Sequence, residues 1–225
     1  MTLLTISCAA FLLLHLGISS TPLRGMLRDA AGENGYLGLY SLLAIASLGG
    51  MIYFYAGIDH SEYIWLANAT SYKVTKVILL LSIVMILVGI MVKNPTAVKM
   101  EGAIDNDIPG AVKITRHPLQ WGILLFAIGH LIANGDQASI LFFGTLALVS
   151  AVGMVAMDRR KKAIGSDKWQ AFYEATSLIP FAAIFSGKTA LKVAEINWLA
   201  VAIGVALYAV LYWFHAVVSG GISLF

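Results

Sequence analysis

The sequence predicts an all-α protein: a polytopic transmembrane helical bundle of about six spans with one cytoplasmic interfacial helix, forming a single domain over residues 1–225. Composition is the first observation behind this. Of 225 residues 59% are hydrophobic and 12% charged, about half the charged share of a soluble domain. The second is that several apolar runs approach the ~20 residues that cross a bilayer. The third is the lack of short alternating segments, which a transmembrane barrel would require. Cys8 is the only cysteine, so an internal disulfide or a CxxC motif is excluded.

The first span covers about residues 3–18 and carries His15 near its end. It lacks the basic start of a signal peptide and reads as a retained helix. Thr21-Pro22 opens a short polar helix containing Arg24, Arg28, Asp29 and Glu33, proline being well placed in a first turn. The second span, about 36–56, is rich in Gly and Ser, which permit close helix approach. Tyr53, Tyr55, Tyr63 and Trp65 follow as an interfacial aromatic belt. The third, about 74–92, has Lys76 close enough to its end to snorkel.

Asn94-Pro95 stops that helix. After a polar connection, Pro118 starts the fourth span, about 118–133. Asn134-Gly135 is a turn signal, so the fifth span, about 138–157, returns as an antiparallel hairpin with Asp136 capping it. The cluster Arg159 to Lys162 ends it as a topology determinant or anionic-lipid anchor. Residues 165–185 mix charges with Trp169, Phe172 and Tyr173, the pattern of an interfacial amphipathic helix followed by a short apolar piece. The sixth span, about 198–218, carries His215.

Thirteen of the fifteen basic residues fall in alternate loops, leaving only Lys73 and Lys76 on the other side. The positive-inside rule then makes the basic loops cytoplasmic and leaves both termini outside. Topology also explains the basic loops without nucleic acid. The partner this composition calls for is the lipid bilayer.

A histidine within a membrane helix is costly unless paired, which makes each one a functional candidate. The alternative is a neutral imidazole bonded to a carbonyl or hydroxyl. His15 and His117 fall near the cytoplasmic face, His130 and His215 near the outer ends of their helices. His60, beside Asp59 and Glu62, reads as a solvated loop residue. His117 and His130 lie ~20 Å apart along one helix and cannot share an iron. Neutral imidazoles on facing helices suit haem; zinc lacks a tetrahedral donor set.

Asn94-Pro95-Thr96, Ile114-Thr115-Arg116-His117-Pro118, Gly129-His130-Leu131 and Ala133-Asn134-Gly135-Asp136, with Trp169, Thr176-Ser177 and Pro180-Phe181 downstream, resemble the NnrU family. Its members are bacterial inner-membrane proteins associated with denitrification. The superfamily includes the plant and cyanobacterial ζ-carotene isomerase, a haem b membrane enzyme. The resemblance implies haem b here, with His15 and His130 as iron ligands; His215 is the alternate that helix depth offers. The isomerase has a cysteine three residues before its second histidine, where this chain has Ala127, so that redox switch is missing. Reading depth from the spans puts His15 and His130 ~10–15 Å apart; depth by itself favours His130 with His215, or His15 with His117.

A more distant resemblance links Arg116-His117-Pro118, Gly122, the following basic segment and Pro180 to isoprenylcysteine carboxyl methyltransferases and phospholipid methyltransferases. It implies an S-adenosylmethionine site using His117, Arg116 and the region from Asp158 to Tyr173. Asp158 stands where a Glu pair is usual, and Phe181-Ala182 where an Arg is usual. Arg116 otherwise snorkels to the headgroups or meets a carboxylate ligand such as a haem propionate. Three readings follow: a haem protein in redox or nitrogen-oxide physiology or in isomerisation of an apolar polyene, a membrane methyltransferase, or a non-catalytic assembly factor.

Overall fold

The computed structural model describes residues 1–97, 99–105, 107–163 and 165–218. They are helical throughout, apart from connections and one isolated bridge between Tyr63 and Asp136. The helices are α1 (Thr2–Leu12), α2 (Leu23–Ala56), α3 (Ala69–Met91), α4 (Gly110–Ile114), α5 (Pro118–Ala133), α6 (Gln137–Lys162), α7 (Asp167–Ala175), α8 (Ala182–Phe185), α9 (Trp198–Trp213) and α10 (His215–Val218). Of these, α2, α3 and α6 are long and apolar enough to cross a membrane. The stretch Thr2–Ile18, α5 and α9 are shorter apolar helices. Three long apolar helices and three shorter ones fall on the six spans expected from the sequence, and the three long ones are those with the length to cross a membrane. The expected sixth span, 198–218, is not one helix: it breaks at Phe214 between α9 and α10, which takes His215 out of the apolar helix.

Contacts divide the chain into two compact units. The first comprises Met1–Thr75 and Ala127–Gly153. Leu4, Cys8 and Phe11, spaced four and three residues apart, form the buried stripe of α1. α1 runs antiparallel to α2: a β-carbon on Gly50 would lie 3.0 Å from Ser7 Oγ, and further along His15 meets Tyr40. α1 does not end as an α-helix. Residues Leu13–Ile18 form a π-helical turn that contains His15. α2 is kinked at Gly32, whose φ of 73° and ψ of 160° leave helical space. That break separates the short polar helix read from the sequence from the apolar span after it.

The second unit comprises Lys76–Phe126 and Met154–Phe225. Glycine lets its helices touch through backbone. A β-carbon on Gly122 would sit 2.6 Å from Ile86 Cγ1 and 2.8 Å from Ile86 N, and one on Gly204 2.9 Å from Val84 Cα. Ser82 donates to the Gly122 carbonyl at 2.8 Å across the same contact. Val88, Val92, Val112, Trp169, Phe172 and Ala200 form the core. α7 is the expected amphipathic helix, capped by Ser166 and burying Trp169 and Phe172. Lys76 does not snorkel freely: its Nζ donates to the Tyr212 hydroxyl at 2.9 Å and lies over that ring.

Candidate functional site

His15 is the histidine whose local backbone is unusual. π-helical turns inside α-helices are rare and frequent at functional sites. This one is held by the Ser20 hydroxyl, which donates to the His15 carbonyl at 2.9 Å, and by Thr21 Oγ1, which donates to the Gly17 carbonyl at 2.6 Å. His15 Nδ1 lies 2.9 Å from the Phe11 carbonyl. A carbonyl only accepts, so Nδ1 carries the proton and Nε2 keeps its lone pair. Among the described residues Nε2 has no hydrogen-bond partner. The ring is half-buried, 4.0 Å from the Phe11 ring and 5.6 Å from Tyr40. Tyr40 stacks on Tyr36 at 5.7 Å, and the Arg24 guanidinium lies 5.7 Å over Tyr36. Neither tyrosine nor this use of Arg24 emerged from the sequence.

His130 belongs to the same unit and stacks on Phe143, with centroids 4.5 Å apart and planes at 19°. Cys8 Sγ approaches the Leu141 carbonyl at 3.9 Å, which sets a common level for α1 and α6. His15 lies seven residues beyond Cys8, and Phe143 two beyond Leu141. At 1.5 Å per residue, roughly 7 Å of depth separates His15 from the layer of His130, less than the sequence suggested.

In the same unit His60 is no solvated loop residue. Its Nδ1 lies 2.8 Å from Asp136 Oδ1 and its Nε2 3.2 Å from the Tyr55 carbonyl. Asp136 also accepts from the Ser139 amide at 2.9 Å, the expected cap of α6. Burial alone would raise the Asp136 pKa, but bonds from Ser139 and the pairing with His60 outweigh it and hold the carboxyl below its ordinary value. Tyr55 and Ser139 share a hydroxyl–hydroxyl bond of 2.8 Å. The connection before α3 is pinned to the α5–α6 turn, Ile64 N donating to the Gly135 carbonyl at 2.8 Å and Gln137 N to that of Glu62 at 3.1 Å. Any side chain at Gly135 would collide with the Trp65 carbonyl.

In the second unit the motif residues of three separate stretches converge. Asp158 accepts from Arg116 Nη1 through one oxygen, and its other oxygen lies 2.7 Å from His117 Nε2. Arg116 Nε donates to Thr176 Oγ1 at 3.0 Å and Nη2 to the Thr176 carbonyl at 2.8 Å. Its guanidinium also lies 4.2 Å over the Tyr173 ring. Asn94 Nδ2 donates to the Arg116 carbonyl at 2.9 Å, and Thr96 Oγ1 sits 3.4 Å from His117 Nδ1. Arg116 is 5% and His117 0% exposed. Arg116 therefore neither snorkels nor waits for a ligand's carboxylate; its partner is Asp158. Burial, then the Asp158 charge, push the Tyr173 hydroxyl well above the usual tyrosine range.

Chemically this network is a closed ion-paired knot with both ring nitrogens of His117 engaged. A cavity of about 330 Å³ lies alongside, walled by Pro95, Ile104, Ile108 and Phe172 with Asp107 and Lys168. His215, half-buried, opens α10 in this unit. The cluster after Asp158 is not all lipid-facing: Lys161 is buried, paired with Glu101 at 2.6 Å and set over Trp169. Among the described residues no group of three or more His, Cys, Asp or Glu side chains could hold a metal ion.

The fold and its apolar helices define an all-helical membrane protein. The chain belongs to the NnrU protein family, whose model matches residues 3–222. No curated protein and no solved structure matches it.

Proposed function

We propose that this NnrU protein is a six-span inner-membrane protein, both termini periplasmic, that binds haem b through His15. It would act in redox or nitrogen-oxide physiology or in isomerising an apolar polyene. The observation that carries the reading is the His15 imidazole, fixed by its Nδ1 proton to the Phe11 carbonyl with Nε2 open, inside a π-helical turn. That is the donor state an axial ligand needs, with a backbone carbonyl orienting the ring. Haem bound there would supply a redox-active iron that the side chains lack. His130 is the second ligand implied by family resemblance. Its ~7 Å offset in depth means that tilt between their helices must bring the two rings level.

The thirteen basic residues in alternate loops support the orientation. Methyl transfer through His117 and Arg116 draws less support, because both side chains are fully partnered within the protein; the adjoining cavity is its one favourable feature. The deciding experiment is an absorption spectrum of protein purified from haem-replete cells. A Soret band that disappears in His15→Ala supports the reading. A colourless, folded preparation overturns it and leaves the assembly-factor reading, which tolerates every single histidine substitution.

A further inference from the structure

The amphipathic α7 does not face lipid with its aromatic side. Trp169 and Phe172 are each 5% exposed and lie in the core of the second unit. The exposed apolar side chains come later, in the hook that runs from Leu178 through α8 to Lys188. Ile179 is 62%, Phe181 43% and Phe185 85% exposed, and the Phe181 and Phe185 rings lie 6.1 Å apart. On the long apolar helices such exposure is what lipid tails require. Here it belongs to a connection whose only helix, α8, has four residues.

The hook is held by its backbone. Phe181 N donates to the Ile114 carbonyl at 2.7 Å. Thr115 Oγ1 and Trp121 Nε1 both donate to the Leu178 carbonyl, at 2.7 and 2.8 Å. Ala183 N donates to Ser177 Oγ at 2.9 Å, and the Ala183 side chain is buried. These bonds fix the hook at the entry to α5, the end of an apolar helix. They leave Phe181 with φ 63° and ψ −6°, the left-handed region. Glycine enters that region freely and a bulky residue only at a cost. A phenylalanine that is both strained and exposed finds its compensating contact outside the chain.

Charge identifies that contact. From Thr176 to Lys192 the sequence has two lysines, Lys188 and Lys192, and no acid; both lysines are exposed. The next acid, Glu195, is held by Lys113 at 2.7 Å. Rings that project beside ammonium groups suit the boundary of an anionic leaflet, where the rings enter the acyl region and the lysines meet phosphates.

We propose that the hook from Leu178 to Lys192 is a lipid-binding element. It inserts Phe181 and Phe185 at the headgroup boundary and gathers anionic phospholipid through Lys188 and Lys192. Ser177, at its root, accepts from the Arg116 amide at 2.8 Å, so the anchored hook sets the level of the ion-paired knot against the lipid surface.

The test places the full chain in nanodiscs of mixed phosphatidylcholine and phosphatidylglycerol, with an NBD fluorophore on Phe185→Cys. Glu174→Cys, exposed on α7, is the water-facing reference. The unsubstituted chain, whose Cys8 is buried, gives the labelling background. The label at 185 should emit at shorter wavelength than the label at 174 and be quenched by spin-labelled lipid. At equal mole fraction, spin-labelled phosphatidylglycerol should quench it more than spin-labelled phosphatidylcholine, through a local enrichment of about fivefold per lysine. Lys188→Gln with Lys192→Gln should bring the two lipids level. Phe181→Gly, which suits the left-handed backbone, should keep the melting temperature and still lose quenching at 185. A label at 185 as wet as the one at 174 overturns the proposal. A shielded label that lipid does not quench also overturns it, because a protein surface then covers the hook. Equal quenching by the two lipids with both lysines in place overturns it as well.

Discussion

Replacing Asp158 with Asn keeps its shape and removes its charge. Asp158 joins Arg116 and His117, whose side chains are 6% and 0% exposed. Breaking a buried ion pair from one side leaves a desolvated cation without its counter-charge, at a cost of ~3–5 kcal/mol. With a chain of this size losing ~2–4 °C of melting temperature per kcal/mol, the variant should melt roughly 6–20 °C below wild type. Trp169 in the neighbouring core and Trp121, bonded at 2.8 Å to the Leu178 carbonyl, make intrinsic fluorescence in detergent a local probe. The double variant Arg116→Met with Asp158→Leu should recover much of the loss, since apolar residues of similar volume often replace buried ion pairs without penalty. A shift below 2 °C for Asp158→Asn, or a double variant worse than the single one, would refute the view that this knot closes the second unit.

The Asp136 carboxyl has its pKa depressed in the fold, so its pairing contributes stability above the unfolded value of ~3.9 and loses it as pH falls through the folded value. Melts taken from pH 6 to pH 3 should drop at the acid end for wild type and by less for Asp136→Asn. Gly135→Ala forces a β-carbon into the Trp65 carbonyl and Gly122→Ala one against Ile86 backbone. Each should cost ~1–3 kcal/mol, read as a lower melting temperature. Tyr173, its pKa raised by burial and then by Asp158, should stay neutral at pH 11; the ultraviolet titration of Tyr173→Phe should lack one late-ionising tyrosine.

Much of the architecture was legible in the sequence because apolar runs and breakers record it directly. Asn94-Pro95 does end a helix, Asn134-Gly135 does turn the hairpin, and the amphipathic stretch after Ser166 is a helix with its aromatic face buried. What stayed hidden depends on contacts far apart in the chain. Asp59 and Glu62 beside His60 suggested a solvated site, yet its partner is Asp136. The methyltransferase resemblance put Asp158 in one region with Arg116 and His117, but as a cofactor site, whereas it pairs directly with those residues, 42 and 41 positions earlier. The π-helical turn at His15 depends on which carbonyl each amide selects, and no residue type encodes that choice by itself. The bend near Gly32 was foreshadowed by the change from polar to apolar composition. Its direction, which carries Arg24 back over Tyr36, was not.

The pinned connection before α3 has a consequence for biogenesis. Ile64 N–H and the Glu62 carbonyl find their partners only at Gly135 and Gln137, roughly 70 residues later, a wait of some 4–14 s at typical translation rates. During that interval the segment is an unpaired edge, open to proteases and holdases. Because Gly135 fits against Trp65 without a side chain, the hairpin turn works as a late-arriving bolt. A chain truncated just before residue 134 should insert its early helices and still be recognised by quality control as unfinished.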